Sequence, residues 1–201
     1  MIKFSRIVFV SIVSYAAAQS PVPPGATVER IATGFQFVEG PLWRDGVGLL
    51  FSDIPANTVY RWTQDSGATV YLKPSSNSNG LALDLQGQLL LAQTGTRRIA
   101  RLENDGTQTT LASTYDGKKL NSPNDLAVKS DGAIFFTDPP FNIPAGEKAE
   151  LTFSGIYRIS PSGDLQLLDS SHRARMSRFA GHRALQPRLL SFEFCTRCSL
   201  R

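Results

Sequence analysis

NGLALDLQGQLLLAQT, residues 79–94, holds two short apolar runs on either side of a polar turn at Gly87. The same layout returns in EGPLWRDGVGLLFSDI at residues 39–54 and in NDLAVKSDGAIFFTDP at residues 124–139. Each copy opens on an acid or an amide, and its second apolar run closes fourteen residues later. The opening residues are Glu39, Asn79 and Asn124, and the closing residues are Asp53, Gln93 and Asp138. An internal repeat of this kind indicates a fold built from repeated units.

Two further apolar runs follow each copy. After the third copy, a twelve-residue insertion around Ala145–Glu150 precedes these two runs. Four short strands per unit, turns that contain Gly and a unit length of 40 to 45 residues predict an all-β fold, a β-propeller. A generic β-sandwich is the alternative, but a sandwich has no reason to keep a four-strand register across three units. No helical periodicity is sustained, so we expect no helices in these units. The chain holds about three to three and a half blades.

The first strand of each propeller blade lines the central channel, so the residues that open the three copies are predicted to converge. Glu39, Asn79 and Asn124 would then bring one carboxylate and two carboxamides to the channel mouth. Oxygen donors without His or Cys suit Ca²⁺ or Mg²⁺ better than a structural zinc ion. The alternative is that the two Asn side chains only cap the turns that lead into the strands.

The first twenty residues have the layout of a secretory signal peptide. Lys3 and Arg6 precede the apolar run Ile7–Val13, and Ala16–Ala18 supply the small residues of a cleavage site. We therefore expect a signal peptide at 1–18, a linker at 19–27 and a secreted or periplasmic protein. The apolar run is short for a membrane span, although an uncleaved anchor is the alternative.

The last thirty residues differ in composition from the rest. Of 21 basic and 17 acidic residues, seven arginines and one acid lie in 172–201, which leaves 14 basic and 16 acidic residues before it. The net charge of +4 therefore comes from this tail and gives no reason to expect nucleic-acid binding. We expect the propeller units at 28–171 and an unstructured tail at 172–201, in a monomer that has no membrane contact after signal cleavage.

The motifs at the three opening positions also resemble a known family. Glu39-Gly40-Pro41, Asn79-Gly80-Leu81 and Ser122-Pro123-Asn124-Asp125 are similar to the gluconolactonase, regucalcin and luciferin-regenerating (senescence marker protein) family over about residues 28–170. The resemblance implies a six-bladed propeller with one divalent cation, Ca²⁺ first and Mg²⁺ or Zn²⁺ as alternatives, and hydrolysis of a sugar lactone. It implies that Glu39 and Asn124 bind the metal and that Asn79 and Asn124 contact the substrate.

The resemblance also implies parts that this sequence lacks. Six blades of this size need about 280 residues, and the family's next Asn ligand is expected near positions 176–181, where none occurs. The Asp expected as the catalytic base would lie beyond residue 201, so no catalytic residue is assigned. We therefore expect a truncated or frameshifted chain with impaired activity. A non-enzymatic propeller that binds a small ligand or a protein partner is the alternative function.

Overall fold

The computed structural model describes residues 25–170. The predicted signal peptide, the first part of the linker, the tail at 172–201 and positions 176–181 lie outside the described residues. From residue 30 onward the described chain belongs to one compact unit. In residues 25–170 no helix has the length and apolar character needed to cross a membrane.

Three four-stranded antiparallel sheets follow one another along the chain, which confirms the predicted all-β partial propeller. In each sheet the spatial order of the strands equals their order in the sequence. Blade 1 contains β1 (Val38–Arg44), β2 (Gly48–Asp53), β3 (Thr58–Thr63) and β4 (Gly67–Leu72). Blade 2 contains β5 (Ser78–Leu83), β6 (Leu89–Gln93), β7 (Arg98–Leu102) and β8 (Gln108–Ala112). Blade 3 contains β11 (Leu126–Val128), β12 (Ile134–Asp138), β13 (Gly155–Ile159) and β14 (Leu165–Asp169).

A short hairpin between blades 2 and 3 was not predicted from the sequence. It consists of β9 (Thr114–Tyr115) and β10 (Lys118–Lys119). Its turn is Asp116-Gly117, with φ angles of 51° and 72°. Two successive positive φ angles are typical of the tight hairpin turn that Asp-Gly favours. The Asp-Gly dipeptide is therefore the sequence feature from which the hairpin could have been predicted.

The predicted insertion of blade 3 forms the connection between β12 and β13, and it contacts blade 2. Glu147 of this connection lies 2.7 Å from the guanidinium of Arg97, which follows β6 and is almost fully buried. The Arg97 Nε donates to the main-chain oxygen atoms of Leu120 at 2.7 Å and of Asn121 at 3.0 Å. One arginine therefore ties the second blade both to the segment that leads into the third blade and to the insertion within it.

Apolar side chains hold the blades face to face. We call the face that a blade turns to the blade before it in the chain its preceding face, and the opposite face its following face. Blades 1 and 2 share a cluster of Leu50 and Val59 from blade 1 with Leu81, Leu89 and Leu91 from blade 2. Blades 2 and 3 share a cluster that includes Leu90, Ala92 and Ile99 from blade 2 with Leu126, Ile134, Phe136 and Tyr157 from blade 3. Each fully buried leucine contributes about 1.5–3 kcal/mol, so these two contacts dominate the stability of the unit.

The residue that closes the second strand of each blade anchors the segment leading into the first strand. The Asp53 carboxylate accepts bonds from the main-chain N–H groups of Gln36 at 3.0 Å and Phe37 at 3.2 Å. In blade 2 the amide of Gln93 donates to the Ser75 carbonyl at 3.0 Å. In blade 3 the Asp138 carboxylate accepts from the Asn121 N–H at 2.7 Å. These contacts give Asp53 and Asp138 structural roles.

Asp138 makes the stability of the fold depend on pH. Burial raises its pKa from 3.8 to about 7, against the lowering effects of main-chain bonds from Asn121 and Ser122 and of the Arg97 charge. Folding therefore favours the protonated carboxyl group. Its stabilising contribution is complete at a pH below the unfolded-state pKa and is lost as the pH rises to about 7.

We predict that the free energy of unfolding falls by up to about 4 kcal/mol between pH 4 and pH 8 because of this group. Urea denaturation across that range measures the slope. Asp138→Asn should flatten it, whereas Asp53→Asn, at the equivalent position of blade 1, should leave it in place. Equal slopes in the two variants would contradict the assignment.

Candidate functional site

Three short segments carry the predicted site residues, and each lies at an irregularity of its sheet. In β1, Glu39 pairs with Ser52 and Leu42 with Leu50, so β1 contains one extra residue between these pairs. In β5 the same shift occurs between Ser78 and Leu81. Such bulges re-aim the neighbouring side chains and are common beside binding sites. We call Glu39–Gly40, Asn79–Gly80 and Asn124–Asp125 the three site segments.

Asn124 does not open a strand as predicted, because β11 begins at Leu126. The main chain is nevertheless held against β12. The Asn124 N–H donates to the Thr137 carbonyl at 2.9 Å, and the Thr137 N–H donates to the Asp125 carbonyl at 3.0 Å. This irregular pairing takes the place of regular strand geometry, at the position where β1 and β5 each contain a bulge in the other two blades.

Two glycines allow the site segments to touch. A Cβ atom on Gly80 would lie 2.5 Å from Asp125 Oδ1 and 2.9 Å from the Asn124 carbonyl oxygen. The Gly80 N–H donates to that same carbonyl at 2.8 Å. Gly40 has a φ of 59°, and a Cβ atom there would overlap the main-chain oxygen of Asn79. Only glycine fits such close main-chain approaches.

The structure therefore brings the three site segments together in chain order. Glu39–Gly40 packs against Asn79–Gly80, which packs against Asn124–Asp125. A hydrogen bond of 3.0 Å between the hydroxyl groups of Ser52 and Ser78 adds a further link between blades 1 and 2 beside Glu39. Asn79 is buried, Glu39 and Asn124 are partly buried, and Asp125 is exposed. The three segments that carry the predicted residues therefore lie side by side, and the metal-binding and substrate-binding roles of Glu39, Asn79 and Asn124 stay predictions.

Two carboxylates lie close enough at this location to influence each other. Loss of hydration raises the pKa of Glu39, the nearby Asp125 carboxylate raises it further, and a main-chain bond from Gly40 opposes both. Loss of hydration also raises the pKa of Asp125 although the residue is exposed, because protein atoms surround its carboxylate closely, and a bond from the Leu126 N–H opposes the shift. Within residues 25–170, none of the ion pairs includes Glu39 or Asp125. The site therefore has uncompensated negative charge.

Asp125 belongs to the Ser-Pro-Asn-Asp motif, but no role was predicted for it from the sequence. The repeat contained the sequence feature that sets Asp125 apart. The second position of the site segment is Gly40 in blade 1, Gly80 in blade 2 and Asp125 in blade 3. Because Gly80 has no side chain, the Asp125 carboxylate occupies the space beside it. The repeat register predicts which residues align, but only the packed blades show that the Asp125 side chain of blade 3 fills the space beside Gly80 of blade 2.

The family model of the SMP-30/Gluconolactonase/LRE-like region matches residues 37–174. The chain belongs to this family. A gluconolactonase of Zymomonas mobilis is 37% identical over 161 residues, which is 71% of this chain and 45% of that protein. The solved structure of a gluconolactonase from Xanthomonas campestris is 38% identical with a TM-score of 0.64, covering 68% of this chain and 48% of that one. A second solved structure, assigned as a gluconolactonase by its protein family, is 34% identical with a TM-score of 0.69 and covers 74% of this chain and 54% of that one.

The match extends across all three blades and includes the three site segments. The chain spans about half the length of the relatives it matches. The resemblance recognised from the sequence motifs is confirmed at the level of the family.

The residue types in the site segments are ones whose oxygen atoms suit a hard divalent cation. Glu39 and Asp125 supply carboxylate oxygens, Asn79 and Asn124 supply carboxamide oxygens, and the uncompensated negative charge of the two acids favours a cation. In residues 25–170 no group of three or more His, Cys, Asp and Glu side chains is arranged to bind a metal. The described residues therefore offer two acids and two amides, which is a partial set for Ca²⁺, since Ca²⁺ takes six to eight oxygen ligands.

A separate cleft is lined by residues of the β6–β7 turn, the hairpin and the blade 3 insertion, including Arg97, Lys119 and Glu147. It contains none of the site segments. Its charges are paired with one another, because Glu147 contacts the guanidinium of Arg97 at 2.7 Å and the ammonium of Lys119 at 3.4 Å. We interpret this cleft as a structural contact between blade 2 and the insertion.

We predict that Gly80→Ala disrupts the site segments. The added methyl group would be placed against the Asn124 carbonyl and the Asp125 side chain, and overpacking of this kind costs about 1–3 kcal/mol or more. Urea denaturation measures the loss of stability. Gly106→Ala is the matched control, because Gly106 has a φ of 85° with no atom near its Cβ position, so that it tests backbone strain alone. A smaller loss for Gly80→Ala than for Gly106→Ala would contradict the close packing of the site segments.

Proposed function

We propose that this chain contributes part of the active site of a divalent-metal-dependent sugar-lactone hydrolase. The observation that supports the proposal most strongly is the close approach of the three site segments at Gly40 and Gly80, with the Asp125 carboxylate beside Gly80. The gluconolactonase relatives indicate the class of reaction. Hydrolysis of a lactone breaks the ring C–O bond by attack of water on the carbonyl carbon and yields a hydroxy acid.

Each site residue has a proposed role. Glu39 and Asn124, with Asp125 beside them, would hold the cation, which we propose to be Ca²⁺, with Mg²⁺ and Zn²⁺ as alternatives. A bound divalent cation supplies Lewis-acid polarisation of a carbonyl and lowers the pKa of water. Asn79 and Asn124 would orient the lactone, since a carboxamide both donates and accepts hydrogen bonds. The proposal assigns no general base.

We propose that the activity of the chain is low. Two carboxylates and two carboxamides leave much of a Ca²⁺ coordination shell to water, so cation binding is expected to be weak. A weakly held cation polarises the substrate in only a small fraction of molecules. The proposal includes export to a secreted or periplasmic location, supported by the residue pattern at 1–18.

The test is calcium-dependent acid release from gluconolactone, measured by pH-stat against the spontaneous rate. We expect a small Ca²⁺-dependent rate that Glu39→Gln reduces at least about tenfold, because the amide removes the negative charge. Asp65→Asn, at an exposed turn of blade 1, should retain the rate. Unchanged turnover in Glu39→Gln would refute the metal assignment.

Binding is measured separately from turnover through the rise in Tm on addition of Ca²⁺. A rise that Glu39→Gln abolishes, without any lactone hydrolysis, would refute the enzymatic proposal and favour the non-enzymatic ligand-binding alternative. A rise that persists in Glu39→Gln would place the bound ion elsewhere in the protein.

A further inference from the structure

The third site segment is held by one residue of the neighbouring strand. Thr137 of β12 is buried, and it makes three hydrogen bonds with Asn124–Asp125. Two of these join main chain to main chain: the Asn124 N–H donates to the Thr137 carbonyl at 2.9 Å, and the Thr137 N–H donates to the Asp125 carbonyl at 3.0 Å. In the third, the Asp125 N–H donates to the Thr137 hydroxyl oxygen at 3.2 Å. A side chain therefore accepts the N–H that a regular strand ladder would pair with a carbonyl.

Within residues 25–170, the other two blades show no equivalent of this hydroxyl bond. The residue that precedes the closing residue of the second strand is Ser52 in blade 1 and Ala92 in blade 2. On the following face of blade 1 the Ser52 hydroxyl bonds to a serine hydroxyl of blade 2, and Ala92 has no hydroxyl. In blade 2 the N–H at the second position of the site segment, Gly80, donates to the Asn124 carbonyl instead. Among the described blades, the Thr137 contact thus belongs to the one whose site segment has a carboxylate at this position.

The carboxylate of Asp125 is held at one of its two oxygen atoms. The Leu126 N–H, at the start of β11, donates to Asp125 Oδ1 at 2.9 Å. Oδ1 is also the atom that lies 2.5 Å from the Cβ position of Gly80. Among the described residues, no hydrogen bond or ion pair involves Oδ2. Oδ1 is thus fixed against the neighbouring blade, and Oδ2 is left for a ligand.

The bonds to Thr137 decide where this carboxylate lies. The N–H of Asp125 belongs to one planar peptide unit and its carbonyl to the next, and Thr137 bonds to both. The φ and ψ angles of Asp125, which relate these two planes, are therefore restrained by a single residue. The direction of the Cα–Cβ bond follows from these angles, so the carboxylate cannot move away from Gly80 unless a bond to Thr137 breaks.

We propose that Thr137 is a positioning residue of the metal site and that Asp125 Oδ2 is the oxygen atom it presents to the cation. The inference rests on the proposed function, in which Asp125 lies beside the residues that bind the cation. None of the ion pairs within residues 25–170 includes Asp125, so its hydrogen bonds with Thr137 and Leu126 are what orient it. Outer partners that orient a ligand strengthen metal binding, and their loss weakens it about 10- to 100-fold.

Calcium titration of Thr137→Val tests the proposal. Val keeps the branched shape and both main-chain bonds but removes the hydroxyl acceptor. We expect the Kd for Ca²⁺, derived from the rise in Tm, to increase about tenfold in this variant. Thr137→Ser restores a hydroxyl and should keep the Kd within about twofold of the wild-type value. Thr58→Val is the matched control: its buried hydroxyl donates to the Ala56 carbonyl at 2.8 Å, outside the site segments, so its loss should lower the Tm without changing the Kd.

Amide hydrogen exchange of the metal-free protein shows whether the effect acts through Asp125. In Thr137→Val the Asp125 N–H should exchange about tenfold faster than in the wild type, because it loses its acceptor. The Asn124 N–H donates to a main-chain carbonyl and should keep its rate. Thr58→Val should leave both rates unchanged.

The outcomes separate this inference from the proposed function. No Ca²⁺-dependent rise in Tm in the wild type would refute the metal site, and the positioning role with it. Equal Kd values in the wild type and Thr137→Val, or equal changes in Thr137→Val and Thr58→Val, would overturn the positioning role and leave the metal site in place. An unchanged exchange rate of the Asp125 N–H in Thr137→Val would also overturn the positioning role, whatever the Kd.

Discussion

The close approach of main chain to main chain at Gly80 is the constraint on which the rest of the structure depends. Its N–H bonds to the Asn124 carbonyl at 2.8 Å, and no Cβ atom fits beside Asp125. Gly40 repeats this contact one blade earlier, against Asn79. These two contacts set how near the first strands come to one another. The apolar clusters between the sheets can then close, because the blades are already in register at their inner edge.

The same approach creates the chemistry of the site. Main-chain contact at the glycines brings the three site segments side by side, and β1 and β5 each contain a bulge at this point, a feature common beside binding sites. Two carboxylates consequently share a poorly hydrated environment without a cationic side chain in the described ion pairs. Such an arrangement costs stability unless a cation compensates it, which links the packing of the blades to the proposed metal dependence.

Much of the fold could be predicted from the repeat, because four strands with a period of two and Gly turns recur in one register. The additions to the repeat were harder to predict. The Asp116-Gly117 hairpin occurs once, and the Arg97–Glu147 pair joins residues fifty positions apart. Asn124 lies before its strand rather than in it, because irregular bonds to Thr137 replace the ladder. Asp125 was missed because its position depends on a glycine in another blade.

By itself, the sequence determined the three four-strand units, their order, the family and the alignment of Glu39 with Asn79 and Asn124, since all of these follow from local periodicity and repeated motifs. Only the tertiary structure decided that Asp125 lies beside Gly80 of the preceding blade and that Asp138 is buried with its pKa raised to about 7. The physical reason is the same in each case. Burial, charge proximity and face complementarity are properties of packed sheets, and they arise between residues that are far apart in the chain.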